Sequence, residues 1–445
     1  MWLVGALALL ACGTPEAPPP RDTTAAAGSH APPDPPLRPW SDAWIDAHAG
    51  AYLDDPGARR AALEASLTNA DNLYSETRLA AYGQRTRGWD ALPEWNPRVH
   101  PIDADTAAAL VGGGAMPSMT AVAPFWDGTR PTTHEGWRAL GARVFAELPL
   151  RTEPYWERAL REPSYGDSIG VERAPDGAVP GLVLVRDVDG TTGTAITCAL
   201  CHTALDPAGA GPVPGRARRR LDYGRARLVA YTARGAPLDP RSVARWTSWG
   251  PGRADVLEDV ADVPIAIPDL WGLKHQRLLT QAGTLRHDTP LALAIRQETQ
   301  YVQANHLRTR PPRVLMWALT VYLESLAPPP PRAFEGPTDG LEHGARVFAS
   351  TCGRCHSNAV GSGALVPIEE IGTDPELATG RARGTGGYRP SPLVRVADAA
   401  PYLHHGAVPT LEALLDPARV EPGHRFGMDL HEAERGALLT FLRTR

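Results

Sequence analysis

Two pentapeptides of the form CxxCH, Cys198-Ala199-Leu200-Cys201-His202 and Cys352-Gly353-Arg354-Cys355-His356, hold four of the five cysteines in this chain. Cysteines three positions apart lie on one side of a helical turn, where each sulfur can reach one vinyl group of a porphyrin. The histidine beside the second cysteine then stands over the ring face and offers a nitrogen to iron. The spacing therefore reads as covalent attachment of c-type haem, twice. A four-cysteine zinc ribbon is the first alternative, but its pairs normally lie about 15–20 residues apart. Here one pair ends at 201 and the next begins at 352. A thioredoxin-like CxxC accounts for one pair, not for two that are each trailed by histidine.

The fifth cysteine bears on location. Trp2 to Ala11 is a short apolar run, the size of a signal-peptide core and too short to span a bilayer. It ends Leu9-Leu10-Ala11-Cys12-Gly13, which looks like a bacterial lipobox, with Cys12 as the lipid attachment site; the usual basic residues before the run are missing. The alternative is an ordinary secretory signal with an incidental cysteine. Both export the chain, in keeping with c-type haem attachment outside the bacterial cytoplasm. The expectation is a periplasm-facing lipoprotein, at the outer membrane in preference to the inner, or a secreted protein.

Acidic and basic residues are mixed and the formal net charge is −5, which gives no reason to expect a nucleic-acid partner. With 43 Gly and 45 Pro, long irregular loops should connect a modest number of helices. Residues 1–12 read as the signal and 13–39, rich in Pro and Ala, as a disordered tether. Residues 40–135 read as a helical extension, with a helical pattern over Ala58 to Tyr82.

The remainder contains an internal echo. Gly141-Ala142-Arg143-Val144-Phe145-Ala146 recurs as Gly344-Ala345-Arg346-Val347-Phe348-Ala349, and Ala318-Leu319-Thr320-Val321-Tyr322-Leu323 is loosely matched by Ala437-Leu438-Leu439-Thr440-Phe441-Leu442. Each unit runs helix, CxxCH, loops, closing helix, the order of a cytochrome c domain in which the first and last helices cross. The fold expected is mainly α: two cytochrome c-like haem domains in tandem, 136–327 and 335–445, after the helical extension. The units are unequal. Gly344 precedes Cys352 by eight positions, whereas Gly141 precedes Cys198 by 57, so the first unit carries large insertions. Insertions of that size shape a pocket or an interface.

His202 and His356 supply one face of each iron, and the opposite face decides between electron transfer and binding of an oxidant. In the second unit the candidates are His404, His405, His424, Met428 and His431. In the first they are Met116, Met119, His134, His275, His287 and His306, with Met316 expected in the core. The stretch Arg389-Pro390-Ser391-Pro392-Leu393, followed by Ala400-Pro401-Tyr402-Leu403-His404-His405-Gly406, resembles the C-terminal domain of the bacterial dihaem cytochrome c peroxidase superfamily, and most of all its rubber-oxygenase-like branch. The resemblance implies that His404 is the distal ligand of the C-terminal haem. The peroxidases proper place a methionine where this chain has Ala418, so that ligand is absent. The resemblance also implies that the N-terminal haem is the reactive one. The segments Trp246 to Arg253 and Gly283 to Thr299 are expected near its distal face, with Arg253, Arg296 and Glu298 set to orient an oxidant or to pair with haem propionates.

The expectation is an exported dihaem c-type cytochrome with two covalently bound haem c groups and electron transfer activity. Peroxidase- or oxygenase-like chemistry is assigned to the N-terminal haem. Its partners are a periplasmic redox protein or a small-molecule oxidant, and the membrane through the anchor. The alternatives are an electron carrier with two six-coordinate haems, and a dihaem sensor or structural lipoprotein.

Overall fold

The computed structural model describes residues 38–445 apart from 84–87, 208, 210, 236, 256–261 and 331–338. The signal, Cys12 and nearly all of the tether lie outside these residues. The chain is mainly helical, 43% helix against 11% strand. Among the described residues no helix is long and apolar enough to cross a membrane.

The echo in the sequence becomes a repeated helix crossing. The helix His134–Glu147 packs on Arg313–Ser325, and Asp339–Thr351 packs on Glu432–Leu442. In each pair a glycine marks the point of closest approach. A Cβ on Gly141 would lie 2.0 Å from the Ala318 carbonyl oxygen and 2.6 Å from the Tyr322 Cβ; on Gly344 it would lie 2.1 Å from the Ala437 oxygen and 2.7 Å from the Phe441 Cβ. The recurring Gly and the recurring Ala-x-x-x-aromatic are therefore two sides of one contact, made twice. Methyl groups there force the helices apart, and overpacking costs about 1–3 kcal/mol. Gly344→Ala should lower the thermal midpoint by several degrees, and Gly141→Ala likewise, as read by calorimetry of the purified protein.

The closing helix of the first unit is buried nearly all round: Leu315, Met316, Trp317, Ala318, Leu319 and Val321 have no exposed surface. Met316 is thus a core residue. The insertions do not remain loops. Strands β1 (Arg98–Pro101), β2 (Arg151–Thr152), β3 (Leu182–Arg186) and β4 (Thr192–Ile196) form one antiparallel sheet in the order β1-β3-β4-β2. β4 runs directly into the first CxxCH turn, so the sheet fixes where Cys198 begins. Because β1 belongs to 40–135, that extension is woven into the first unit.

The single helix suggested over Ala58 to Tyr82 is two, Pro56–Ser66 and Leu73–Gly83. Asp55 caps the first by accepting from the Gly57 and Ala58 amides, with Pro56 at its first position. Between the helices Leu67 turns extended and pairs with Leu285. Asn72 then donates its amide to the Gly384 carbonyl at 3.1 Å, tying the extension to the second unit.

Candidate functional site

The first CxxCH forms a short helix, Cys198–His202, whose start is capped by the Thr197 hydroxyl accepting from the Ala199 amide at 3.3 Å. The second follows the end of Asp339–Thr351 as a run of turns. All four cysteines are unbridged. Burial pushes the thiols of Cys198 and Cys352 up to about 11 and that of Cys201 up to about 12. A thiol held protonated by apolar surroundings is a poor metal ligand. Among the described residues no three His, Cys, Asp or Glu side chains gather as a metal site. The cysteines therefore do not converge as a zinc ribbon requires.

One cavity of about 450 Å³ is lined by both motifs, from Cys198, Cys201 and His202 at one end to Cys352, Cys355 and His356 at the other. Its walls include Phe145, Leu150, Ile196, Leu293 and Leu323 beside the first motif, and Phe348, Leu411, Leu415 and Leu438 beside the second. Both motif histidines are oriented in the same way. His202 Nδ1 lies 3.0 Å from the Pro268 carbonyl oxygen, and His356 Nδ1 lies 2.5 Å from that of Gly361. A carbonyl only accepts, so each Nδ1 carries the proton and each Nε2 keeps its lone pair. Burial pushes His202 down to about 4 and lowers His356, which favours the neutral ring in both. Two thiols and a neutral, tethered imidazole on each turn, facing an apolar cavity, fit covalently held haem.

Among the described residues lining the cavity there are two further imidazoles, His404 and His424, and no methionine. The His424 ring centre lies 6.4 Å from that of His356, at 64°. Imidazoles on opposite faces of one metal, each bonded at about 2.0 Å, have ring centres about 6 Å apart. Burial pushes His424 down to about 4, and its Nδ1 is buried without a hydrogen-bond partner. Its loop is held firmly. The His424 amide donates to Ile371 O at 2.8 Å, and Arg419 Nη2 donates to the carbonyls of Gly423 and His424 at 2.6 and 3.0 Å. Arg419 Nη2 also donates to the Met428 sulfur at 3.5 Å, so Met428 packs behind the loop.

His404 sits at the tip of a tight reversal in which Tyr402 and Val408 exchange backbone hydrogen bonds. Its ring stacks on Tyr388 at 4.1 Å, and its Nε2 lies 3.1 Å from the Tyr388 hydroxyl oxygen. That hydroxyl donates its one proton to the Asp374 carbonyl at 2.7 Å. His404 Nε2 is then the donor to the hydroxyl oxygen in this arrangement. His405 lies outside the cavity with Nε2 3.6 Å from Glu421, and His431 caps the last helix.

The first-unit candidates do not reach the cavity. Met119 is core, His134 bonds Asp46 at 2.9 Å, and His287 is buried against Gln276 O and Glu324. His275, His306 and Met116 are likewise outside its walls. Of the arginines named from sequence, Arg296 lines the cavity and lowers the His202 pKa, while Arg253 does not line it. Glu298 turns away to Arg313, at 2.8 Å, and Tyr52, at 2.9 Å. Gln297 and Gln300 stand beside Arg296, whose Nη1 donates to the Gln300 carboxamide oxygen at 2.8 Å. Gln297 falls within the segment Gly283 to Thr299 expected near the distal face and Gln300 lies one residue beyond it; the sequence signal for both is their spacing with Leu293 on a single helix face.

Residues 387–422 match a family described as RoxA-like, cytochrome c-like. No curated protein matches the chain. Among solved structures, a MauG-like protein associated with microbial copper homeostasis is 17% identical, with a TM-score of 0.31, over 44% of this chain and 77% of that one. The chain thus carries a cytochrome c-like segment, the cofactor such a segment implies is covalently bound haem c, and its class of function is redox or electron transfer.

Proposed function

We propose that the chain is an exported dihaem c-type cytochrome whose two haems divide the work. Cys352, Cys355, His356 and His424 would hold the C-terminal haem, which would supply electron relay there. Cys198, Cys201 and His202 would hold the N-terminal haem, which would supply peroxidase- or oxygenase-like chemistry toward a small oxidant beside Arg296, Gln297 and Gln300. When bound, haem iron supplies one-electron redox chemistry and, where a position is open, a place for peroxide or dioxygen.

The single observation that carries this reading is the asymmetry of the cavity. Next to His356 stands an imidazole at a ring spacing suited to a shared metal, whereas the protein groups near His202 include Arg296, Gln297 and Gln300. The chain's own part in the chemistry is positional. The Pro268 and Gly361 carbonyls hold the ligand tautomers, and Tyr388 holds the His404 ring by its Nε2 proton. The Arg296 guanidinium and the two carboxamides offer donors to a polar ligand beside His202. Cys12 would anchor the chain in the membrane that faces its redox partner.

The pyridine haemochrome spectrum should give two c-type haems per chain, and the dithionite-reduced protein should bind one equivalent of carbon monoxide. No binding would favour the electron carrier with two six-coordinate irons.

A further inference from the structure

Among the described residues, five arginines line the cavity. Three meet carboxylates: Arg219 with Asp269 at 2.7 Å, Arg383 with Asp255 at 2.5 Å, and Arg354 with Glu370. Arg296 meets carboxamides. Arg389 meets only backbone. Its Nε donates to Thr280 O at 3.0 Å and its Nη1 to Pro390 O at 3.4 Å, and among the described residues it has no acidic partner. It is 7% exposed. An unpaired cation taken out of water carries a heavy desolvation penalty unless an anion joins it. Burial pushes the Arg389 guanidinium down to about 10.

We infer that Arg389 is the counter-ion of a propionate carboxylate on the haem carried by Cys352, Cys355 and His356. Three observations place it there. Arg389 precedes Ser391 by two residues, and the Ser391 backbone lies close enough to the His356 imidazole to raise its pKa against the larger effect of burial. Its side chain lines the same cavity. Its Nη2 makes no hydrogen bond to the described residues, so one arm of the guanidinium fork is free for a carboxylate, which arginine pairs bidentately. The position has a second consequence. The Arg389 amide donates to Gln281 O at 2.9 Å, and with the bond to Thr280 O this pins a first-unit segment to the second unit. A propionate on Arg389 would therefore sit where the two units meet, and the charge of Arg389 would favour the reduced iron.

This inference rests on the haem proposed at His356, and the test separates the two. In the holoprotein, Arg389→Gln should keep two haems per chain by pyridine haemochrome. It should move the midpoint of the C-terminal haem to more negative potential in a spectroelectrochemical titration, and shift a propionate bending band in resonance Raman. R389K keeps the charge and loses the fork, so its band should shift while its midpoint moves less. Wild-type midpoints and bands in R389Q, with haem content intact, would overturn the inference. If R389Q does not accumulate, a wild-type Raman band in R389K overturns it equally. A wild-type protein without haem would instead overturn the proposed function.

Discussion

Serine at both Cys198 and Cys201 should lower covalent haem from two to one per chain and abolish carbon monoxide binding by the reduced protein. The thioethers need both sulfurs, and His202 alone, with its Nε2 facing an apolar cavity, is a single weak tether. The haem that remains is the one between His356 and His424, whose two protein ligands leave no position for carbon monoxide. Serine at Cys352 and Cys355 should also halve haem content, but here the remaining haem binds carbon monoxide. Haemochrome absorbance per chain and a carbon monoxide titration read both effects. Retention of carbon monoxide binding in the Cys198→Ser/Cys201→Ser protein would show that the reactive site has been placed on the wrong haem. Stability should fall in both variants, since walls such as Leu293 and Leu323, or Leu411 and Leu438, lose the apolar group that covers them.

The second large effect concerns the ligand opposite His356. His424→Ala should turn the C-terminal haem from low to high spin and raise carbon monoxide binding from one to two equivalents per chain. His404→Ala should leave both spin states as they are, because on this proposal His404 Nε2 pairs with the Tyr388 hydroxyl. Met428→Ala should likewise leave them, since the Met428 sulfur faces Arg419 behind the loop. Electronic absorption in the region sensitive to spin state separates the three variants. A high-spin C-terminal haem in His404→Ala, with His424→Ala unchanged, would restore the ligand that the family resemblance implies.

These variants turn on the part of the site that sequence conveys least. The CxxCH turns are legible because the chemistry of attachment requires contiguous residues. The helix crossings are legible too, because a glycine where backbones touch, and the small residue facing it, recur in register at Gly141 with Ala318 and at Gly344 with Ala437. A distal ligand carries no such local mark. His404 and His424 lie 20 positions apart in loops, each within two residues of a glycine, and only the packing of Ile371, Arg419 and Tyr388 distinguishes them. The sheet escaped for a different reason. Leu182 to Val185 is a run of apolar residues that reads equally as buried strand or helix, and its partner β1 lies some eighty residues earlier in a segment read as helical. Tertiary pairing decided that case. The buried Arg389 was visible only as part of a motif, and its missing carboxylate is a fact of three dimensions.

The central claim is that the two haems differ in coordination, and electron paramagnetic resonance of the oxidised, as-isolated protein tests it most directly. The account predicts equal amounts of one high-spin ferric haem, at His202, and one low-spin ferric haem, between His356 and His424. Two low-spin signals of equal intensity, unchanged by added cyanide in both the oxidised and the reduced protein, would contradict it.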